Sequence, residues 1–275
     1  METNIIIKKG LFKRRINLED IIFENMIYGT MDGSYRLVEN EKGKNICVYN
    51  KKYIGRGYKL SLKRKKVIIT LFLPAGKEEI KLLYDYVVKI CNLFNTNTFK
   101  RNKSLESLDD IKECIKEDEN ASTNALKEIE NYVDKDEVYF AFCALNLIAL
   151  SKKDLKSFNG DIVKFGKHID TLQKKDVYYA RASIFTKDDK VIGVYSLVDD
   201  INTVLPYKPF IFNNNIKIDK WYIGFTINGK MAGTIKYDDF IKELDSKKEY
   251  DSMHFIAKLN SDKINKLLKS YKVKM

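Results

Sequence analysis

Tyr58-Lys59-Leu60-Ser61-Leu62, then Lys63-Arg64-Lys65-Lys66, then Val67-Ile68-Ile69-Thr70-Leu71-Phe72-Leu73-Pro74 is the stretch on which the fold turns. Its first five residues alternate apolar and polar with a period of two, the pattern of a strand with one face buried. Four consecutive basic residues cannot enter a core, so they read as a solvated hairpin tip. The β-branched run that follows is a second strand, and Pro74 ends it because proline has no N–H for a ladder. Immediately downstream, Ile80, Leu83, Tyr84, Val87, Ile90, Cys91 and Phe94 recur at three- and four-residue spacing. That is the stripe of a helix over Lys77–Phe94. Glu78 and Glu79 stand in its first turn, where acidic groups favour the positive end of the helix dipole. A meander followed by one strongly amphipathic helix predicts a sheet with a helix laid across it.

Working outward, Asn4–Ile7 reads as a short strand, and Asn17-Leu18-Glu19-Asp20 starts a helix with Leu18, Ile21, Ile22 and Met26 on one face. Tyr35–Val38 and Ile46–Tyr49 read as the two arms of a hairpin about a polar turn containing Gly43. Beyond the long helix, Leu105, Leu108, Ile111 and Ile115 form one helical stripe and Leu126, Ile129 and Val133 another. The polar run Glu117–Asn124 reads as the linker between them. Val138–Leu150 reads as one buried strand, followed by a helix over 151–158 opened by Ser151 and Asp154 in a capping box. Tyr178–Phe185 and Val191–Leu197 flank the turn Lys187-Asp188-Asp189-Lys190. Asn228-Gly229 marks a type I′ hairpin, since both residues tolerate positive φ. Short helices near Tyr237–Leu244 and Ser261–Leu268 bracket a last strand at Met253–Leu259. Strands in hairpins with helices between the groups predict an α+β fold, not a doubly wound sheet. It consists of antiparallel hairpins and meanders packed with amphipathic helices, in two β-rich halves. The expected organisation is a meander and helix over 1–103, an acidic helical connector over 104–137, and an α+β half over 138–275.

Charge follows the same division. The 275 residues carry 50 basic and 38 acidic side chains, a net +12. The first segment carries +12, the second −8 and the third +8. Lysine, isoleucine, asparagine and tyrosine are abundant throughout, so part of the basic excess is compositional. No apolar run approaches the ~18 residues of a membrane span, and no signal-like core follows the N-terminus. Cys47, Cys91, Cys114 and Cys143 form no CxxC pair, and three of them fall in apolar patterns. They read as free buried thiols in a reducing compartment, not as a zinc site. A cytoplasmic protein without membrane insertion is expected.

The residues that carry chemistry are few. Neither His168 nor His254 has a nucleophile-elbow serine or an HExxH partner, so no catalytic, cofactor-binding or metal-ligating residue is assigned and no cofactor is expected. Of the adjacent acids, Asp109-Asp110 and Asp238-Asp239 fall in first turns of helices and Asp188-Asp189 at a hairpin tip. Asp199-Asp200 has no such account and remains an interaction candidate. Gly55-Arg56-Gly57 is the second: glycines beside an arginine let the backbone approach an anion while the guanidinium grips it. A tight bend between strands is its structural alternative. Lys63, Arg64, Lys65 and Lys66 are the third, with Lys13-Arg14-Arg15 and Lys100-Arg101-Asn102-Lys103 as companion basic clusters. On one face, the three would suit a nucleic-acid backbone.

Gly55-Arg56-Gly57-Tyr58-Lys59-Leu60-Ser61-Leu62, Leu71-Phe72-Leu73-Pro74 with the helix ending at Cys91, Tyr222-Ile223-Gly224-Phe225, and Gly229-Lys230 with Gly233 through Phe240 together resemble an uncharacterised bacterial protein family of similar length. The resemblance implies a bacterial cytoplasmic protein and brings no activity or site with it. The leading expectation is a non-enzymatic protein that works by binding another protein, with many Tyr and Phe side chains to furnish contact surface. The alternatives are a nucleic-acid-associated basic protein and an enzyme of unrecognised type. The last predicts that Arg56, His168, Asp199, Asp200 and His254 converge on a concave site.

Overall fold

The structure is a computed structural model that describes residues 1–10, 16–32, 37–212, 216–244 and 246–273. The chain divides into two compact units, Met1–Lys174 and Lys175–Met275. It is an α+β protein whose sheets are mainly antiparallel.

The first unit contains β1 (Glu2–Lys8), β2 (Met26–Met31), β3 (Leu37–Glu39), β4 (Ile46–Asn50), β5 (Tyr53–Lys63) and β6 (Lys66–Phe72), then α1 (Lys77–Phe94). There follow β7 (Thr98–Arg101), β8 (Ser104–Ser107), α2 (Ile111–Tyr132), β9 (Val138–Ala141), β10 (Ile148–Ser151), α3 (Lys152–Phe158) and α4 (Ile162–Gln173). Eight strands form one antiparallel sheet in the order β3-β2-β4-β5-β6-β1-β7-β8. Its register puts Ile5 opposite Ile69, Ile7 opposite Val67, and Leu60 opposite Ile69, so one face is a continuous buried apolar layer. α1 covers it with the stripe read from the sequence, and Ile80, Leu83, Tyr84, Val87 and Ile90 are all buried.

Four local expectations are corrected here. Asn17–Met26 is not a helix: a single 3-10 turn at Glu19–Ile21 leads into β2, which takes Met26. β3 and β4 are not hairpin partners, because β2 lies between them and pairs with both; Tyr35 and Arg36 lie outside the described residues. Val138–Leu150 is not one strand but the hairpin β9–β10. The break at 142–147 is held by Gln173, whose Oε1 accepts from the Leu145 and Asn146 amides and whose Nε2 donates to Asn146 O. The stripe starting at Leu105 is not helical at its start, since Leu105 is an exposed residue of β8.

The acidic segment 104–137 lies inside the first unit. α2 runs unbroken through Glu117–Asn124, and its polar residues are what fasten it. Ser122, fully buried, donates to Ala75 O and accepts from Ala75 N. Asp118, also buried, accepts from Thr3, Tyr84 and Arg101.

The second unit contains β11 (Tyr178–Tyr179), β12 (Ser183–Lys187), β13 (Lys190–Val198), β14 (Thr203–Pro206), β15 (Lys220–Ile227), β16 (Lys230–Lys236), α5 (Tyr237–Glu243), β17 (Lys248–Glu249), β18 (His254–Ala257) and α6 (Ser261–Tyr271). Two four-stranded sheets, β12-β13-β15-β16 and β11-β14-β18-β17, enclose a core of Leu197, Ile223, Phe225, Ile235, Phe240, Phe255 and Ile264. Two pairs, β13 with β15 and β11 with β14, are parallel. The Asn228-Gly229 turn has φ of 48° and 74°, the left-handed pair a type I′ hairpin requires. Asp188 and Asp189, at 49° and 58°, make the β12–β13 turn in the same way. The arm expected over Tyr178–Phe185 is split between β11 and β12, which belong to different sheets.

Candidate functional site

Gly55-Arg56-Gly57 lies inside β5, not between strands. Gly55 and Gly57 take φ of 55° and 72°, and these two left-handed residues turn successive amides toward one side. There they meet the carboxylate of Glu79 from the first turn of α1. Glu79 Oε1 accepts from Arg56 N at 2.7 Å and Gly57 N at 2.8 Å, and Oε2 from Gly76 N at 3.4 Å. A Cβ on Gly55 would stand 2.7 Å from Glu79 Oε1, so glycine is the residue that admits the carboxylate. Burial is the largest influence on Glu79 and raises its pKa to about 7; the Arg56 charge and the amide hydrogen bonds pull it back. The anion gripped by this motif is thus one of the protein's own side chains.

The Arg56 side chain leaves that carboxylate for a cleft of about 270 Å³ in the first unit. Its Nε donates to Phe142 O at 3.2 Å and its Nη1 to Pro74 O at 3.0 Å, while the guanidinium carbon lies 5.9 Å from the centre of the Phe72 ring. Cys47 also lines the cleft, with its thiol pushed up to about 12 by burial, which leaves it protonated and unreactive.

The other candidates have separate settings. Lys63 and Arg64 are exposed at the β5–β6 tip, with Lys65 and Lys66 half-buried beside them. That tip lies at the Lys8 end of β1, whereas β7 pairs Arg101 with Ile5 and its hairpin continues toward the opposite end. Arg101 itself is turned inward to Glu117 and Asp118. Lys13-Arg14-Arg15 lies outside the described residues. Asp199 accepts from Ser261 Oγ at 2.8 Å and from the Asn228 amide, joining the start of α6 to the β15–β16 turn. Asp200 is exposed with φ of 56°, and its amide donates to Leu259 O. The two acids therefore tie loops together.

Arg56 and His168 belong to the first unit; Asp199, Asp200 and His254 belong to the second. His168 packs its ring against Phe158. His254 is buried, with Nδ1 2.8 Å from Asp251 Oδ1 and Nε2 3.0 Å from the Tyr179 hydroxyl. Burial holds the Tyr179 pKa well above its usual value, so the hydroxyl that meets Nε2 is protonated. Sequence reasoning missed both Glu79, read as a dipole partner, and Asp251; their partners lie in distant segments or inside a turn with no motif.

A further feature is the edge of the second unit. Among the described residues β12 ends its sheet and pairs only with β13, and all five of its residues are exposed. Phe185 is 54% exposed and Ile184 40%, on opposite faces of the strand. At the other edge of the same sheet, Thr234 of β16 is bridged by Val273.

Among the described residues no helix is long and apolar enough to cross a membrane, and no three His, Cys, Asp or Glu side chains are grouped to hold a metal ion. No curated protein and no solved structure matches the chain. A family match does run from residue 3 to residue 267, through every stretch that carries the resemblance read from the sequence, and the chain belongs to the family described as "Domain of unknown function (DUF4299)".

Proposed function

We propose that this is a non-enzymatic bacterial cytoplasmic protein that binds another protein by accepting an extended segment of it alongside β12. The observation that carries this reading is the open edge of that strand. An edge strand presents unpaired N–H and C=O groups, and folded proteins ordinarily shield them. Among the described residues the edge instead combines backbone groups left unpaired by any other strand with two large exposed apolar side chains, Ile184 and Phe185. Strand addition draws affinity from the main-chain ladder and specificity from alternate side chains. The incoming segment would cover Phe185 on one face and Ile184 on the other, so its chemistry is an alternating, mostly apolar strand. Lys187 and Lys190 flank the turn and oppose fibre-like stacking of identical edges. The four free, buried cysteines fit a reducing compartment.

Selection of peptides from a random display library tests the reading. Wild type is expected to enrich strand-forming peptides that bind at least tenfold more weakly to Ile184→Lys and Phe185→Asp variants of unchanged thermal stability. Peptides that bind the variants equally well, or no enrichment at all, would refute it.

A further inference from the structure

The Arg56 guanidinium is an unusual group to find at the base of an apolar cleft. Arg56 is only 6% exposed, and two of its nitrogens are fixed by main-chain carbonyls. Those two bonds hold the guanidinium carbon 5.9 Å from the centre of the Phe72 ring. They leave Nη2, and the second hydrogen of Nη1, without a hydrogen-bond partner among the described residues. Nη2 is not among the polar atoms sealed from solvent, so it is open to a ligand in the cleft, and the paired end of a guanidinium matches the two oxygens of a carboxylate.

The walls set what would accompany the carboxylate. Met31, Phe72 and Phe142 give the cleft a mainly apolar lining, with Lys59 and Asp32 also bordering it. Its volume of about 270 Å³ lies just below the usual range for small-molecule sites, which run from ~300 Å³ upward. That suits a compact acid and not a nucleotide. The mainly apolar walls offer a phosphate few partners for its remaining oxygens, whereas both oxygens of a carboxylate are met by the guanidinium.

We propose that this cleft is a binding site for a small monocarboxylic acid with an apolar aromatic or aliphatic body, its carboxylate on the Arg56 guanidinium and its body between Phe72 and Phe142. Glu79 fixes the turn from behind and is the device that aims the arginine. The site lies wholly within the first unit and does not depend on strand addition at β12.

Titration of the full chain with phenylacetate and with octanoate tests the proposal, using 2-phenylethanol as the neutral counterpart and inorganic phosphate as the apolar-free anion. Binding is followed by calorimetry and by amide shift mapping. Saturable binding of at least one acid is expected, at least tenfold tighter than either control, with shifts centred on Arg56, Gly57 and Cys143. Phe142→Asp places a like charge beside the carboxylate site at a residue 40% exposed. It is expected to weaken binding at least tenfold while the thermal midpoint stays unchanged. Absence of saturable binding by both acids, equal binding of the alcohol or of phosphate, shifts centred elsewhere, or undiminished binding by a folded Phe142→Asp variant would each overturn the assignment.

Discussion

Gly166 of α4 and Gly76 at the start of α1 meet backbone to backbone. A Cβ on Gly166 would stand 2.5 Å from the Gly76 Cα and 2.2 Å from the Tyr53 hydroxyl oxygen. Carbon atoms in contact stand about 3.5–4.0 Å apart, so the two helices approach at a distance only glycine permits. This contact fixes the first turn of α1, and with it Glu79 and the arginine that Glu79 orients.

In an exposed helix interior, Gly→Ala stabilises by about 1 kcal/mol. At Gly166 the sign reverses, because the added methyl meets main chain that cannot move aside. Gly166→Ala is expected to destabilise by roughly 1–3 kcal/mol, measured as a lowered midpoint in urea with unchanged slope. Tyr53→Phe removes only the hydroxyl part of the clash and should recover only part of the loss. A stabilised Gly166→Ala would show that the helices do not approach this closely.

Glu79 gives the stability of the fold a pH dependence. Its folded pKa of about 7 lies above the ordinary value of 4.5, chiefly through burial. Between those two values the folded protein keeps a proton that the unfolded chain has released. The contribution of Glu79 is therefore fully present below about pH 4.5 and lost as pH rises through 7. The loss is on the order of 3 kcal/mol for a shift of this size. Glu79→Gln keeps an oxygen for the Arg56 and Gly57 amides and cannot ionise. Relative to wild type it should gain stability from pH 4.5 to 7 and hold a constant difference above. Parallel curves for the two proteins across that window would refute the buried, proton-holding carboxylate.

Parts of this architecture are legible in the sequence because they are decided locally. The stripe from Ile80 to Phe94 has one way to bury itself, and Asn228-Gly229 has one turn that suits its φ angles. The Arg56 cradle is not legible, since its anion comes from Glu79, twenty-three residues on, in a position that a dipole argument explains equally well. The unbroken passage of α2 through Glu117–Asn124 is hidden for a related reason. Asp118 and Ser122 look like linker residues to any reading based on hydrophobic period, yet each is buried by a polar contact more than thirty residues away. Likewise β2 inserts between β3 and β4, and nearest-neighbour pairing of apolar runs cannot foresee a nonlocal strand order. The open edge of β12 depends on which strand ends the sheet, and hairpin signals do not carry that information.

Asp118 offers the sharpest check on how α2 is held. Its Oδ1 accepts from Arg101 Nη2 at 2.7 Å and Thr3 Oγ1 at 3.0 Å, and its Oδ2 from the Tyr84 hydroxyl at 2.6 Å. The carboxylate is 1% exposed and the Arg101 side chain 11%, so solvent screens the pair little. Removing one member of a buried pair typically costs about 3–5 kcal/mol, although Arg101 would keep the half-exposed Glu117 carboxylate as a partner. Asp118→Ala is expected to destabilise by roughly that amount, because Tyr84 and Thr3 lose their acceptor as well. Arg101→Met should cost less, since Asp118 keeps two hydroxyl donors and the methionine stem fills the same channel. The double variant should be more stable than the sum of the single losses implies, with the coupling persisting in molar salt, as expected for a buried pair and not for a surface one. Additive losses in the double-mutant cycle would mean that Arg101 and Asp118 do not act as a pair, leaving α2 fastened by its hydroxyl bonds to Tyr84, Thr3 and Ala75 and by its apolar contacts.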